Sequence, residues 1–72
     1  MTELDRGTGR HGVVTAFDEA AGLGTITDAN GVDHPFHCIE IADGSRSIEV
    51  GTEVSFDVLA KFGRWEAANV RR

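Results

Sequence analysis

Three stretches of the chain gather residue types that chemistry uses. His34-Pro35-Phe36-His37-Cys38 places two imidazoles and a thiol within five residues, the donor types of a zinc site or of a thiolate nucleophile beside its base. Asp18-Glu19 is a carboxylate pair of the kind that general acid–base catalysis employs. Lys61-Phe62-Gly63-Arg64-Trp65 interleaves two cations with two aromatic rings, a pattern suited to phosphate contact and base stacking.

Spacing decides against the first two. On a strand, neighbouring side chains point to opposite faces, so His34 and His37 diverge while His34 and Cys38 share a face. No Cys-x-x-Cys pair supplies further ligands, and no metal site is expected. Cys38 and His37 are adjacent and diverge in the same way, which removes the thiolate–imidazole couple. Asp18-Glu19 lies in the polar corner Asp18-Glu19-Ala20-Ala21 and reads as solvated. No cofactor motif is present, and the chain reads as a non-enzyme without catalytic residues, metal or cofactor.

The elements that position these residues are organised around Gly22-Leu23-Gly24-Thr25-Ile26-Thr27. Two glycines at the front of a β-branched run mark a strand whose start comes very close to another backbone or a ligand. A strand over residues 12–18 precedes it, and the corner between them makes a hairpin. The second strand covers 23–27 and ends at Asn30-Gly31, a strong turn signal. A third covers 33–39, where Pro35 demands an edge or a bulge because it cannot donate to a ladder. Residues 42–47 form a polar loop, with one helical turn near Ile41. Gly51-Thr52 opens the clearest strand, in which Val54, Phe56 and Val58 alternate with Ser55 and Asp57. A turn over 61–64 leads to a last strand over 65–70. Val14, Ile26, Phe36, Val54, Phe56 and Val58 are the expected core. Five short antiparallel strands that must hide their edges predict an all-β fold, a small barrel of the OB type.

Length and charge bound the rest. A chain of 72 residues makes one small domain, here 12–72 behind a flexible leader over 1–11 that carries Arg6 and Arg10. Such a core supports only about 3–5 kcal/mol of stability. The single cysteine excludes an internal disulfide and suits a reducing compartment. No apolar run approaches the ~20 residues of a membrane span, and a soluble cytoplasmic protein is expected. Net charge is −5, unevenly laid out. From Val13 to Ala60 the acids Asp18, Glu19, Asp28, Asp33, Glu40, Asp43, Glu49, Glu53 and Asp57 face one base, Arg46. Beyond them Lys61, Arg64, Arg71 and Arg72 outnumber Glu66. The body repels phosphate, so attraction must come from the C-terminal end.

The order Gly12-Val-Val-Thr-Ala-Phe17, Gly22-Leu-Gly-Thr-Ile26, Phe36-His37 and Ala67-Ala-Asn-Val70 resembles the cold-shock domain family. The two-glycine strand matches the family's first RNA-binding motif and residues 33–38 its second. The resemblance implies an OB barrel that binds single-stranded RNA or DNA by stacking bases on surface aromatics beside a few lysines. Residue by residue, most of those groups are replaced. Thr15 and Ala16 stand for lysine and tryptophan, and Ala21 for lysine. Leu23 and Thr25 stand for two phenylalanines, as do Pro35 and Cys38. Phe17 and His37 keep the family's residue type.

Each stacked base is worth roughly 1–3 kcal/mol. Loss of five aromatic positions and the lysines therefore predicts single-stranded binding that is weak or altered. The residues expected to carry it are Phe17, Leu23, His37, Lys61, Phe62, Arg64 and Trp65. A competing expectation has Trp65 capping the open end of the barrel with Phe62 over it. The second functional reading is a protein-interaction module, in which the emptied face of Ala16, Leu23, Thr25, Pro35 and Cys38 meets a partner.

Overall fold

A computed structural model describes residues 10–61 and 63–72, with the side chains of Lys61 and Arg64 outside that description. Five strands form one antiparallel sheet: β1 (Arg10–Asp18), β2 (Leu23–Asp28), β3 (Asp33–His37), β4 (Glu53–Lys61) and β5 (Arg64–Arg71). Their order is β3-β2-β1-β4-β5, so β3 and β5 are the edges. Pro35 lies on the β3 edge, where its missing N–H costs no ladder bond. The edges are brought together by the segment after β3. Ile41 bridges Val70 in parallel, and the Ala42 N–H donates to the Val70 carbonyl at 2.7 Å. The fold is all-β, a small barrel of the OB type.

The six expected core residues are all buried, and Ile41, Ile48, Ala67 and Val70 join them. Ile48 enters from the long connection between β3 and β4. That connection is tied to β1 by the Gly51 N–H on the Val14 carbonyl and the Val14 N–H on the Thr52 carbonyl. Val70 enters because β5 carries a bulge: Asn69 and Val70 together oppose Phe56, between the pairs Ser55–Arg71 and Asp57–Ala68. Asn69 holds the bulge at φ 52°. Its N–H donates to Glu40 Oε1 at 3.3 Å, and its Nδ2 donates to Asp57 Oδ2 at 3.4 Å.

Both glycines of the organising stretch answer to close approaches. A Cβ on Gly24 would lie 2.5 Å from Phe36 Cζ and 2.8 Å from Phe17 Cδ1. Gly22 adopts φ +69°, and a Cβ there would lie 2.9 Å from Cys38 Sγ.

The structure corrects several boundaries. β1 begins at Arg10, not residue 12, because Arg10 and His11 pair with Phe56 and Ser55 of β4. Of the leader expected over 1–11, residues 1–9 lie outside the described part. β3 ends at His37, not residue 39. There the His37 ring accepts the Ile39 N–H at 3.2 Å, the Cys38 N–H turns to the Gly22 carbonyl, and Cys38–Glu40 forms a 3₁₀ turn. β4 starts at Glu53, since Gly51 and Thr52 are spent on the ties around Val14 and Glu49. The turn expected over 61–64 is tighter, with Lys61 and Arg64 already paired across the hairpin.

Candidate nucleic-acid interface

The face that the first two motifs build is the solvent side of β1, β2 and β3. Its rungs follow from the register: Asp18–Leu23–His37, then Ala16–Thr25–Pro35, then Val13–Thr27–Asp33. The ladder shifts between Val14 and Ala16, which makes Thr15 the extra residue of a β1 bulge. Thr15 and Ala16 are both exposed, and Phe17 swings back towards the core. There it stacks on Phe36 with ring centroids 6.0 Å apart and is only half-exposed. Leu23 is 53% exposed beside half-buried His37. Cys38 is half-buried in the 3₁₀ turn, its sulfur close over Gly22, and so sits past the strand on which it was expected.

His37 Nδ1 accepts the Ile39 N–H, so the neutral ring carries its proton on Nε2. That leaves one ring donor for a ligand. Across the last rung, Thr27 Oγ1 donates to Asp33 Oδ1 at 2.7 Å. With that proton spent, the 2.9 Å contact between Thr15 Oγ1 and Thr27 Oγ1 must be Thr15 donating. The chain Thr15–Thr27–Asp33 thus ends in an exposed carboxylate where a phosphate-binding surface needs a cation. Sequence reading missed it. Its only trace is a row of hydroxyl residues at outward positions of paired strands, visible once the register is known.

His34, weighed as a ligand from sequence, is 8% exposed and belongs to the fold. Its Nε2 lies 2.9 Å from Asp28 Oδ2, and its ring tilts against Phe56 at a centroid distance of 5.1 Å. The His34 hydrogen bond, with the backbone N–H groups of Val32 and Asn30, holds the Asp28 carboxyl below its ordinary value. Asp18 Oδ1 accepts the N–H groups of Ala20 and Ala21 and caps the β1–β2 corner. Among the described residues no three His, Cys, Asp or Glu side chains gather as a metal site.

The second candidate region is the β4–β5 hairpin. Trp65 pairs with Ala60 one rung beyond the buried pair Val58–Ala67. Two residues from Ala67 on the same strand, it shares Ala67's side of the sheet. It is nevertheless 66% exposed, so it does not cap the barrel. Lys61 and Arg64 flank it as paired backbone positions, and Phe62 lies outside the described residues.

The fold, the two-glycine strand over Phe17 and Phe36, and the β1–β3 face agree with one comparison. The family model described as the 'Cold-shock' DNA-binding domain matches residues 10–72. This chain belongs to the cold-shock domain family. The match starts at the first residue of β1 and takes in every strand. Cold-shock domains are in general nucleic-acid-binding domains. No curated protein matches the chain. No helix among the described residues is long and apolar enough to cross a membrane.

Proposed function

We propose that this cold-shock domain binds single-stranded RNA or DNA weakly, with the main contact moved to the β4–β5 hairpin. The observation that carries the reading is Trp65, an exposed indole flanked in sequence by Arg64 and, across the hairpin, by Lys61. On the β1–β3 face, by contrast, the aromatic positions hold Ala16, Leu23, Thr25 and Pro35, and Asp33 adds a negative charge. Leu23, Phe17 and His37 contribute secondary contacts there: an apolar surface, a ring edge and an Nε2–H donor. Phe62 completes the hairpin set.

A guanidinium or ammonium beside an indole offers both phosphate contact and stacking at one place. Counterion release from two or three phosphate contacts gives a log–log salt slope of about −1.4 to −2 for a single strand. Binding of this kind needs no catalytic group, and the protein is read as a non-enzyme, acting in the cytoplasm.

Titration of the full chain with single-stranded oligonucleotides, followed by Trp65 emission at low and moderate salt, tests the reading. Quenching that weakens as salt rises is the expected result. Saturable binding that leaves the emission unmoved would place the contact elsewhere.

A further inference from the structure

The β1–β3 face has a surface character of its own. Leu23 is 53% and Val13 37% exposed, with Ala16 and Pro35 also in solvent between them. The rim is acidic: Asp18 closes one end of the face, and Asp33 and Glu53 close the other, on either side of the Val13–Thr27 rung. Neither these carboxylates nor the apolar residues between them have a cationic partner among the described residues. Asp33 is instead pinned by the Thr27 hydroxyl, which fixes its carboxylate at the edge of the face.

From these observations we propose that the solvent face of β1–β3 binds an extended cationic peptide segment of another protein. The occupant follows from charge complementarity. Phosphates are repelled by all three corners, whereas Lys or Arg side chains at both ends of a segment are attracted by them. Spacing narrows it further. Leu23 and Thr27, which carry the two end rungs, are four residues apart on β2, about 13 Å at strand rise. Asp18 and Asp33 lie on opposite sides of β2, about 10 Å apart across the sheet, which makes the diagonal about 16 Å. An extended chain presents two cations on one face at a separation of four residues, about 13 Å, and their long side chains reach the remainder of the diagonal. The side chain between them must be small and apolar to rest on Leu23, Ala16 and Pro35.

The site lies apart from the hairpin at Trp65; of the amides read, only Leu23 belongs also to the secondary nucleic-acid contacts, and an oligothymidylate titration distinguishes the two occupants. The probe is the acetylated, amidated pentapeptide Arg-Thr-Val-Thr-Arg, whose two arginines and valine share one face when extended, titrated into the ¹⁵N-labelled full chain. The expected result is saturable shifts of the Leu23, Thr25, Thr27 and Asp33 amides, with affinity falling as salt rises. The peptide with glutamine for both arginines should bind at least about fivefold more weakly. So should the original peptide to Asp18→Asn/Asp33→Asn. Asparagine keeps the turn cap and the Thr27 acceptor, and an unchanged melt verifies the fold. Four results overturn the proposal: no shift at about 2 mM peptide, shifts confined to the hairpin, undiminished binding to the double variant, or a seven-residue oligothymidylate moving these amides at lower concentration than the peptide.

Discussion

Gly24 and Phe36 face each other across the β2–β3 ladder so closely that a Cβ on Gly24 would stand 2.5 Å from Phe36 Cζ. The same Cβ would meet Phe17, which stacks on Phe36. One hydrogen in place of a side chain therefore allows two aromatic rings to pack under the β1–β3 face. Gly24→Ala is expected to cost about 1–3 kcal/mol through overpacking. Urea denaturation measures it. A parent-like midpoint would show that Phe36 has room to move.

Phe56 is fully buried, lies against His34, and is the residue opposed by the β5 bulge. Phe56→Ala should remove about 3–5 kcal/mol, comparable to all the stability expected of a domain this small. The variant should be largely unfolded at 25 °C by circular dichroism, and a cooperative melt near the parent's would contradict the packing described.

Asp28 is held below its ordinary value by His34 and by the Val32 and Asn30 N–H groups, so its ionised form favours the folded state. A depressed folded value contributes stability that is present above the unfolded value, near 3.9, and lost as pH falls through the folded one. Melting temperature should therefore drop as the pH is lowered from about 4, and Asp28→Asn should flatten part of that slope. Identical slopes for parent and variant would remove Asp28 from the acid response. Asp43, lowered by the Ser45 backbone and hydroxyl and by Arg72, contributes in the same direction and keeps a residual slope in the variant.

Ala16 and Thr25 are opposite one another, and Leu23 lies one rung away on the same exposed side. Aromatics placed at all three would stand as neighbours in solvent. At roughly 1–3 kcal/mol per stacked base, the triple variant should bind single strands at least about tenfold more tightly than the parent. Fluorescence anisotropy with a labelled oligonucleotide checks this. Tight binding by the parent at physiological salt would leave no deficit to restore.

Trp65 and Arg64 carry the proposed hairpin contact. Arg64→Ala should weaken binding about equally for all base sequences, because phosphate contacts carry no base information. Trp65→Ala should lower affinity at an unchanged melting temperature, since the indole is mostly in solvent. The two are measured together by anisotropy and thermal melting. A normally folded Trp65→Ala that binds like the parent would leave the indole without a role in binding.

Local patterning was enough to place the five strands and six of their core residues. Period two in Val54, Phe56 and Val58 admits one buried face, Asn30-Gly31 admits a reversal, and Gly22 and Gly24 announce close approach, all from interactions between near neighbours. The sequence also showed which aromatic positions of a cold-shock domain are occupied by other residues. Tertiary structure decided what depends on register and on contacts distant in the chain. The β1 bulge turns Thr15 and Ala16 together to solvent and Phe17 onto Phe36, a displacement that alternation alone predicts wrongly. The β5 bulge buries Val70 against Ile41, and Ile48 arrives from a loop without periodicity. His34 is drawn from the list of possible ligands into a pair with Asp28, because the β2–β3 turn folds its ring over Phe56. Trp65 is exposed although it continues the buried side of β5, because the hairpin carries it one rung past Val58 and Ala67. A period fixes which side of a strand a residue takes, and only the packed neighbours fix whether anything covers it.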